Sequence, residues 1–94
     1  MKGIPHAKVR AKLLSDPLSL LAYEEAHREA ELALMLQNIR EKAGITRTEI
    51  ALRMGVTPPV VTRIEQNVIK ASIHTLERYA SACGSKLDIR AIDL

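Results

Sequence analysis

The sequence predicts an all-α domain of about five helices that ends in a short C-terminal β-strand. Three observations lead there. Apolar residues recur at three- and four-residue spacing through most of residues 16–84. Capping residues and glycines punctuate that pattern at its starts and stops. From residue 85 the period changes to two, with Leu87, Ile89 and Ala91 alternating with Lys86, Asp88 and Arg90.

Residues 1–12 hold Gly3 and Pro5 and show no clear period, so they read as a flexible basic N-terminal arm. Residues 13–84 read as the helical domain and 85–94 as a C-terminal dimerisation tail. Asp16 is placed to cap the first helix. Pro17 follows at the first helical position, where its missing N–H is no loss. No breaker stands between Pro17 and Gly44. The stretch is therefore either one helix of about 40 Å or two abutting helices that part near residues 27–31. Leu18, Leu21, Ala22 and Ala26 form one apolar stripe; Leu32, Met35, Leu36, Ile39 and Ala43 form a second. Gly44 stands where a helix commonly ends on a positive φ. Thr46 and Glu49 then have capping-box spacing. Ile50, Ala51 and Met54 are expected to face inward and Gly55 to close this short helix.

The next segment, "TPPVVTRIEQN", opens with two consecutive prolines. Inside a helix each would cost about 3 kcal/mol, but in the first turn the lost N–H has no intrahelical partner. The pair therefore marks a start, with Thr57 as N-cap, Pro58 and Pro59 as the first helical residues, and Val61, Ile64 and Val68 inward. Ser72 caps the last helix, with Ile73, Leu76, Tyr79, Ala80 and Cys83 inward and Gly84 at its end. The alternating tail needs a ladder partner, because strand backbone groups cannot stay unpaired. No second strand is evident elsewhere. The expected partner is the same tail of a second copy, in an antiparallel ribbon across a two-fold axis.

Ninety-four residues make one domain with an aliphatic core: 47 % are hydrophobic, with no Phe or Trp and two tyrosines. Cys83 is the only cysteine, which excludes an intrachain disulfide and a four-thiolate metal site. Cys83 itself falls on the inward stripe and reads as a core residue. His6, His27 and His74 are too scattered to hold a metal. No His–acid pair is arranged around any Ser or Thr, so an enzyme and a cofactor are not expected. No signal peptide or membrane span is evident, which makes a cytoplasmic protein the expectation. The net charge of +3 is unevenly placed. Lys2, Lys8, Arg10 and Lys12 stand without an acid in residues 1–15. Asp16, Glu24, Glu25, Glu29, Glu31 and Glu41 face only Arg28 and Arg40 in residues 16–41. Residues 42–81 are basic again. Blocks of opposite sign suggest separate surfaces with separate partners.

Two short helices joined by a tight glycine turn make a helix-turn-helix over residues 46–67. Close crossing needs a small residue on the first helix, which Ala51 supplies. The turn needs a positive φ, which Gly55 supplies. Val61 and Ile64 anchor the second helix, with Ile50 behind. Thr57, Pro58, Pro59, Thr62, Arg63 and Gln66 then lie on or near its outward face and N-terminal end. In the DNA-binding use of this motif those positions meet base edges in the major groove. Arg63 can form two hydrogen bonds to a guanine. Pro59 and Val60 can press on a thymine methyl, and Thr57 and Thr62 can serve phosphate or base. The positive pole of the second helix is offered to phosphate. Arg47 and Thr48, at the start of the first helix, and Lys70, in the following loop, complete the candidate DNA-binding set. Leu52 falls on the outer side of its helix and is a candidate contact with another protein.

The stretch "GITRTEIALRMGVTPPVVTRIEQN" resembles the Xre/Cro (lambda-repressor-like) helix-turn-helix family. With "LLSDP…AY" before it and "SIHTLERYASACGSKLDI" after it, the chain is similar, over roughly residues 13–90, to HigA-type antitoxins of type II toxin–antitoxin systems. The resemblance implies a structural pair between Arg40 and Glu65 that holds the second helix in its docking angle. It also implies a homodimer on an inverted-repeat operator, autorepression, and neutralisation of a RelE-like basic ribonuclease toxin in the bacterial cytoplasm, near the nucleoid. The acidic block, represented by Tyr23, Glu24, Glu25, Arg28, Glu29 and Glu31, is then the candidate toxin surface. A stand-alone phage-type repressor without a toxin partner is the alternative. Two departures bear on the operator. The family usually has Gln where Arg47 stands and often Gln or Ser where Pro58 stands, so the common Gln-to-adenine contact is absent. Asn67 replaces a usual glycine and is expected to tolerate a left-handed conformation.

Overall fold

The computed structural model describes Lys8 and residues 16–94. The arm expected over residues 1–12 lies outside the described residues except for Lys8, which is helical and exposed. In chain order the described residues form α1 (Pro17–Ala43), α2 (Arg47–Met54), α3 (Pro58–Gln66), a 3-10 turn (Val68–Lys70) and α4 (Ile73–Ala82). Four α-helices are thus present among the described residues, against the five or so expected.

The caps follow local chemistry. Asp16 accepts from the Ser19 backbone N–H at 3.3 Å and from the Ser19 hydroxyl at 2.7 Å. Those bonds hold the Asp16 carboxyl below its ordinary pKa. Nothing interrupts the helix that follows, and α1 runs unbroken for 27 residues. Gly44, at φ 69°, ends it by donating to the Arg40 and Glu41 carbonyls. Thr46 accepts from the Glu49 N–H at 3.2 Å, but the other half of the expected capping box is not made. The Glu49 carboxylate turns instead to Arg53, 3.1 Å away and one turn on. Ser72 accepts from the Thr75 N–H at 3.0 Å and starts α4.

Leu36, Ile50, Ala51, Met54, Val61, Ile64, Val68, Leu76, Tyr79 and Cys83 close into one core. It lies where α2, α3 and α4 meet the second half of α1. The first half of α1 extends past it. Leu18 and Leu21 are 79 % and 65 % exposed, and Ala22 and Ala26 are exposed too. The first apolar stripe therefore covers no core among the described residues. Ala43, at the end of the second stripe, is exposed as well. Ile73 is a further correction: it opens α4 on the solvent side. Asn67 adopts φ −127°, so no left-handed residue is used there.

The expected C-terminal strand is absent: residues 85–94 form no strand. The alternation is present, but a single chain offers no backbone partner to make a ladder. Leu87 packs on the core, while Ile89, Ile92 and Leu94 are exposed. Leu94 ends beside Leu20, Leu21, Glu24 and Arg28, where an open cavity of about 710 Å³ separates the tail from the overhanging half of α1.

Candidate nucleic-acid interface

α2 and α3 share one core, to which Ala51 and Val61 contribute almost wholly buried side chains. Gly55, at φ 72°, turns the chain between them. The Val56 N–H donates back to the Ala51 carbonyl at 2.9 Å. With Val61 and Ile64 held inward, the opposite side of α3 is left to solvent. Thr57, Pro58, Pro59, Arg63 and Gln66 are exposed and Thr62 is half-buried. Arg47, Thr48 and Lys70 are exposed as well, with Arg47 lining a groove shared with Thr62 and Gln66 and Lys70 one shared with Arg63. An apolar cavity of about 310 Å³ opens between Val60, Ile64 and Ala71, with Arg63 and Lys70 on its rim.

Glu65 ties this interface to every neighbouring helix. Its carboxylate accepts from Arg40 of α1 at 3.1 Å, from Arg47 of α2 at 2.5 Å and from the Tyr79 hydroxyl of α4 at 2.5 Å. Burial alone would raise the Glu65 pKa. The Tyr79 and Arg47 hydrogen bonds, with the charges of Arg47 and Arg40, outweigh it and leave the carboxyl below its ordinary value. Burial and the same carboxylate hold the Tyr79 hydroxyl protonated well above its usual range. Arg47 is in turn stabilised as a cation by Glu65. Arg47 was placed by its sequence position on the DNA backbone. It stands half-exposed with Nε on Glu65, so the rest of its guanidinium remains open to a phosphate. Tyr79 is the participant that spacing alone missed. Its signal was a hydroxyl-bearing ring at a position that an aliphatic would fill.

The start of α3 has few N–H donors to offer a phosphate. Pro58 and Pro59 have none. The Val60 and Val61 N–H groups both point to the Thr57 carbonyl, at 3.0 and 3.4 Å. The helix dipole, the Thr57 N–H and the uncommitted Thr57 hydroxyl remain for an anion there.

The residues of the acidic block sit on the overhanging half of α1. Glu25, Arg28 and Glu31 are exposed; Tyr23, Glu24 and Glu29 are half-buried. The Tyr23 and His27 rings stack with centroids 6.2 Å apart, and His27 Nε2 lies 3.4 Å from Glu31. No group of three or more His, Cys, Asp or Glu among the described residues can hold a metal ion. No helix among them is long and apolar enough to cross a membrane.

Two short helices crossed at a glycine turn, the second exposed along its leading side, define a helix-turn-helix protein. The chain belongs to the helix-turn-helix family HTH_3, whose sequence profile matches residues 36–89. It is 31% identical over 75 residues to antitoxin HigA1 of Mycobacterium tuberculosis strain CDC 1551 / Oshkosh. The identity to the HigA1 of strain ATCC 25618 / H37Rv is the same. Each match covers 80% of this chain and 50% of the relative, so the chain spans about half the length of the curated relatives it matches. No solved structure gives a significant match. These matches support the resemblance to Xre-type, HigA-like antitoxins drawn from the sequence.

Proposed function

We propose that the chain is a sequence-specific DNA-binding antitoxin that represses its own toxin–antitoxin operon and neutralises a RelE-like ribonuclease toxin. The observation that carries the DNA half is the free leading side of α3, with Arg63 exposed and without an ion pair among the described residues. Arg63 reads a guanine, Thr57 and Thr62 serve base or phosphate, Gln66 lies on the same base-facing side, and Arg47, Thr48 and Lys70 grip the backbone. Arg40 and Glu65 fix the docking angle. The likeness to HigA1 antitoxins and the exposed acid side chains on α1 support the toxin half. A basic partner would seat on Tyr23, Glu24, Glu25, Arg28, Glu29 and Glu31. Residues 1–12 act as a basic arm, 13–84 as the binding domain, and 85–94 join two copies through Ile89, Ile92 and Leu94. The dimer would place two α3 helices in successive major grooves about 34 Å apart on an inverted repeat. It works in the cytoplasm, on the nucleoid.

Gel shifts with DNA upstream of the chain's own reading frame should show retardation that weakens steeply with salt. Equal affinity for that DNA and for random duplex would overturn the repressor reading. Co-expression with a basic protein encoded alongside should suppress its ribonuclease activity. Reversing the charge of Glu24, Glu25, Glu29 and Glu31 should abolish that suppression while DNA binding persists. Undiminished suppression would remove the assigned toxin surface.

A further inference from the structure

We infer that the tip of α3 selects a thymine by its 5-methyl group, with the exposed rings of Pro58 and Pro59 as the reading surface. The inference rests on the DNA-binding reading above and names what its leading edge recognises. A helix ordinarily begins with unpaired backbone donors. Here two are removed by proline and a third, on Val60, is turned to the Thr57 carbonyl, which leaves the Thr57 N–H alone. The same chemistry explains an irregularity among the caps. Asp16, Thr46 and Ser72 each accept an N–H from three residues on, whereas the Thr57 side chain makes no cap hydrogen bond. The donor at the second helical position does not exist, and that at the third is already engaged. One turn on, the Thr62 hydroxyl donates to the Pro58 carbonyl at 3.3 Å. The tip is thus two exposed pyrrolidine rings without a backbone donor, with the Thr57 hydroxyl and N–H behind them.

That inventory constrains what the tip can read. Guanine N7 and O6, adenine N7 and thymine O4 are acceptors and call for donors that the two leading rings lack. The thymine methyl is the apolar feature of the major groove, and a ring without a donor suits it. Position supplies the register. Pro59 stands four residues before Arg63 and Pro58 four before Thr62, so each ring lies one turn ahead on the same ridge. One turn is about 5.4 Å and one base step about 3.4 Å. The thymine therefore lies within one or two base pairs of the guanine that Arg63 contacts.

The test begins by selecting duplexes bound by the full chain from a random library. Each thymine of the selected site is then replaced singly by deoxyuridine, which removes the methyl and nothing else. Binding is measured for the wild type and for Pro58→Ala/Pro59→Ala. One thymine within two base pairs of the guanine should weaken wild-type binding about four-fold when replaced, as expected for one buried methyl. The double variant should lose that discrimination and keep its dependence on the guanine. Failure to enrich any sequence would overturn the DNA-binding reading itself. Enrichment followed by tolerance of deoxyuridine at every position, or an equal penalty in both proteins, would overturn this inference alone. The wild-type arm does not depend on the variant folding.

Discussion

Arg53 and Arg78 cap each other's helices. Arg53, in the last turn of α2, donates to the Ala82 carbonyl at the end of α4 at 2.8 Å. Arg78, in α4, donates to the Met54 carbonyl at the end of α2. The last carbonyls of a helix have no partner within it, and a cation beside them also favours the negative end of the dipole. Each bond therefore satisfies an orphan acceptor, and together they clamp the first helix of the DNA-binding motif to the scaffold.

Arg78→Ala should lower stability by about 1–2 kcal/mol, the worth of a charge-assisted hydrogen bond that is partly exposed. Arg53→Ala should have a similar effect. The double variant should lose less than the two separate losses added, because both bonds hold the same helix pair. Urea denaturation of the four proteins measures this. Strict additivity would mean the two bonds act independently.

Glu65 gives stability a defined dependence on acid. Its folded pKa lies below the ordinary 4.5, so the folded protein binds this proton less readily than the unfolded chain. The resulting stabilisation is fully present above pH 4.5 and fades as pH falls through the lowered folded value. Glu65→Gln should be less stable at neutral pH and should flatten that acid limb. Thermal melts between about pH 7 and pH 3 read the difference, and parallel curves for both proteins would exclude the carboxylate as the source.

Gly55→Ala tests backbone conformation alone. A Cβ built there meets nothing within 4 Å, yet the residue sits at φ 72°. The expected penalty is about 1–2 kcal/mol from the left-handed conformation. A melting temperature unchanged from the wild type would show that the turn relaxes freely.

Two leucines on one helix should behave in opposite ways. Leu36 is fully buried, and Leu36→Ala should lose about 2–5 kcal/mol. Leu18 is 79 % exposed, and Leu18→Ala should stay within about 0.5 kcal/mol of the wild type. A large loss at Leu18 in chemical denaturation would place it in a contact that the folded chain does not make.

Arg63→Ala should weaken binding to the selected operator by about 1–3 kcal/mol and relax preference at one guanine. Its side chain is exposed, so the melting temperature should hardly move. Equal affinity of both proteins for operator and random duplex in gel shifts would contradict this.

What was legible in the sequence is what short-range chemistry decides. Asp16, Thr46, Gly55 and Ser72 act as the spacing indicated, because a cap or a turn needs only its next few neighbours. Ile73 is exposed against its inward reading, and the stripe of Leu18 and Leu21 is exposed too, because periodicity identifies a face without showing that anything covers it. The tail misled for a related reason: alternation gives a strand its pattern but supplies no ladder partner. At the candidate site, the outward positions of Arg63 and Pro59 followed from the inward ones of Val61 and Ile64. The engagement of Arg47 by Glu65 spans 18 residues, and that of Glu65 by Tyr79 spans 14, beyond what a local pattern encodes. The missing donors at the start of α3 were already written in its two prolines.

The length of α1 beyond the core has one more consequence. Its final turns are bolted down through Leu36 and Arg40, whereas Leu18, Leu21, Ala22 and Ala26 of the opening turns are exposed and bury no apolar stripe among the described residues. A helical stretch of that size is only marginally stable in water. Its backbone should unzip and re-form many times for each global unfolding event. A protease that catches it open would strip the acidic surface from the chain and leave the DNA-reading half folded.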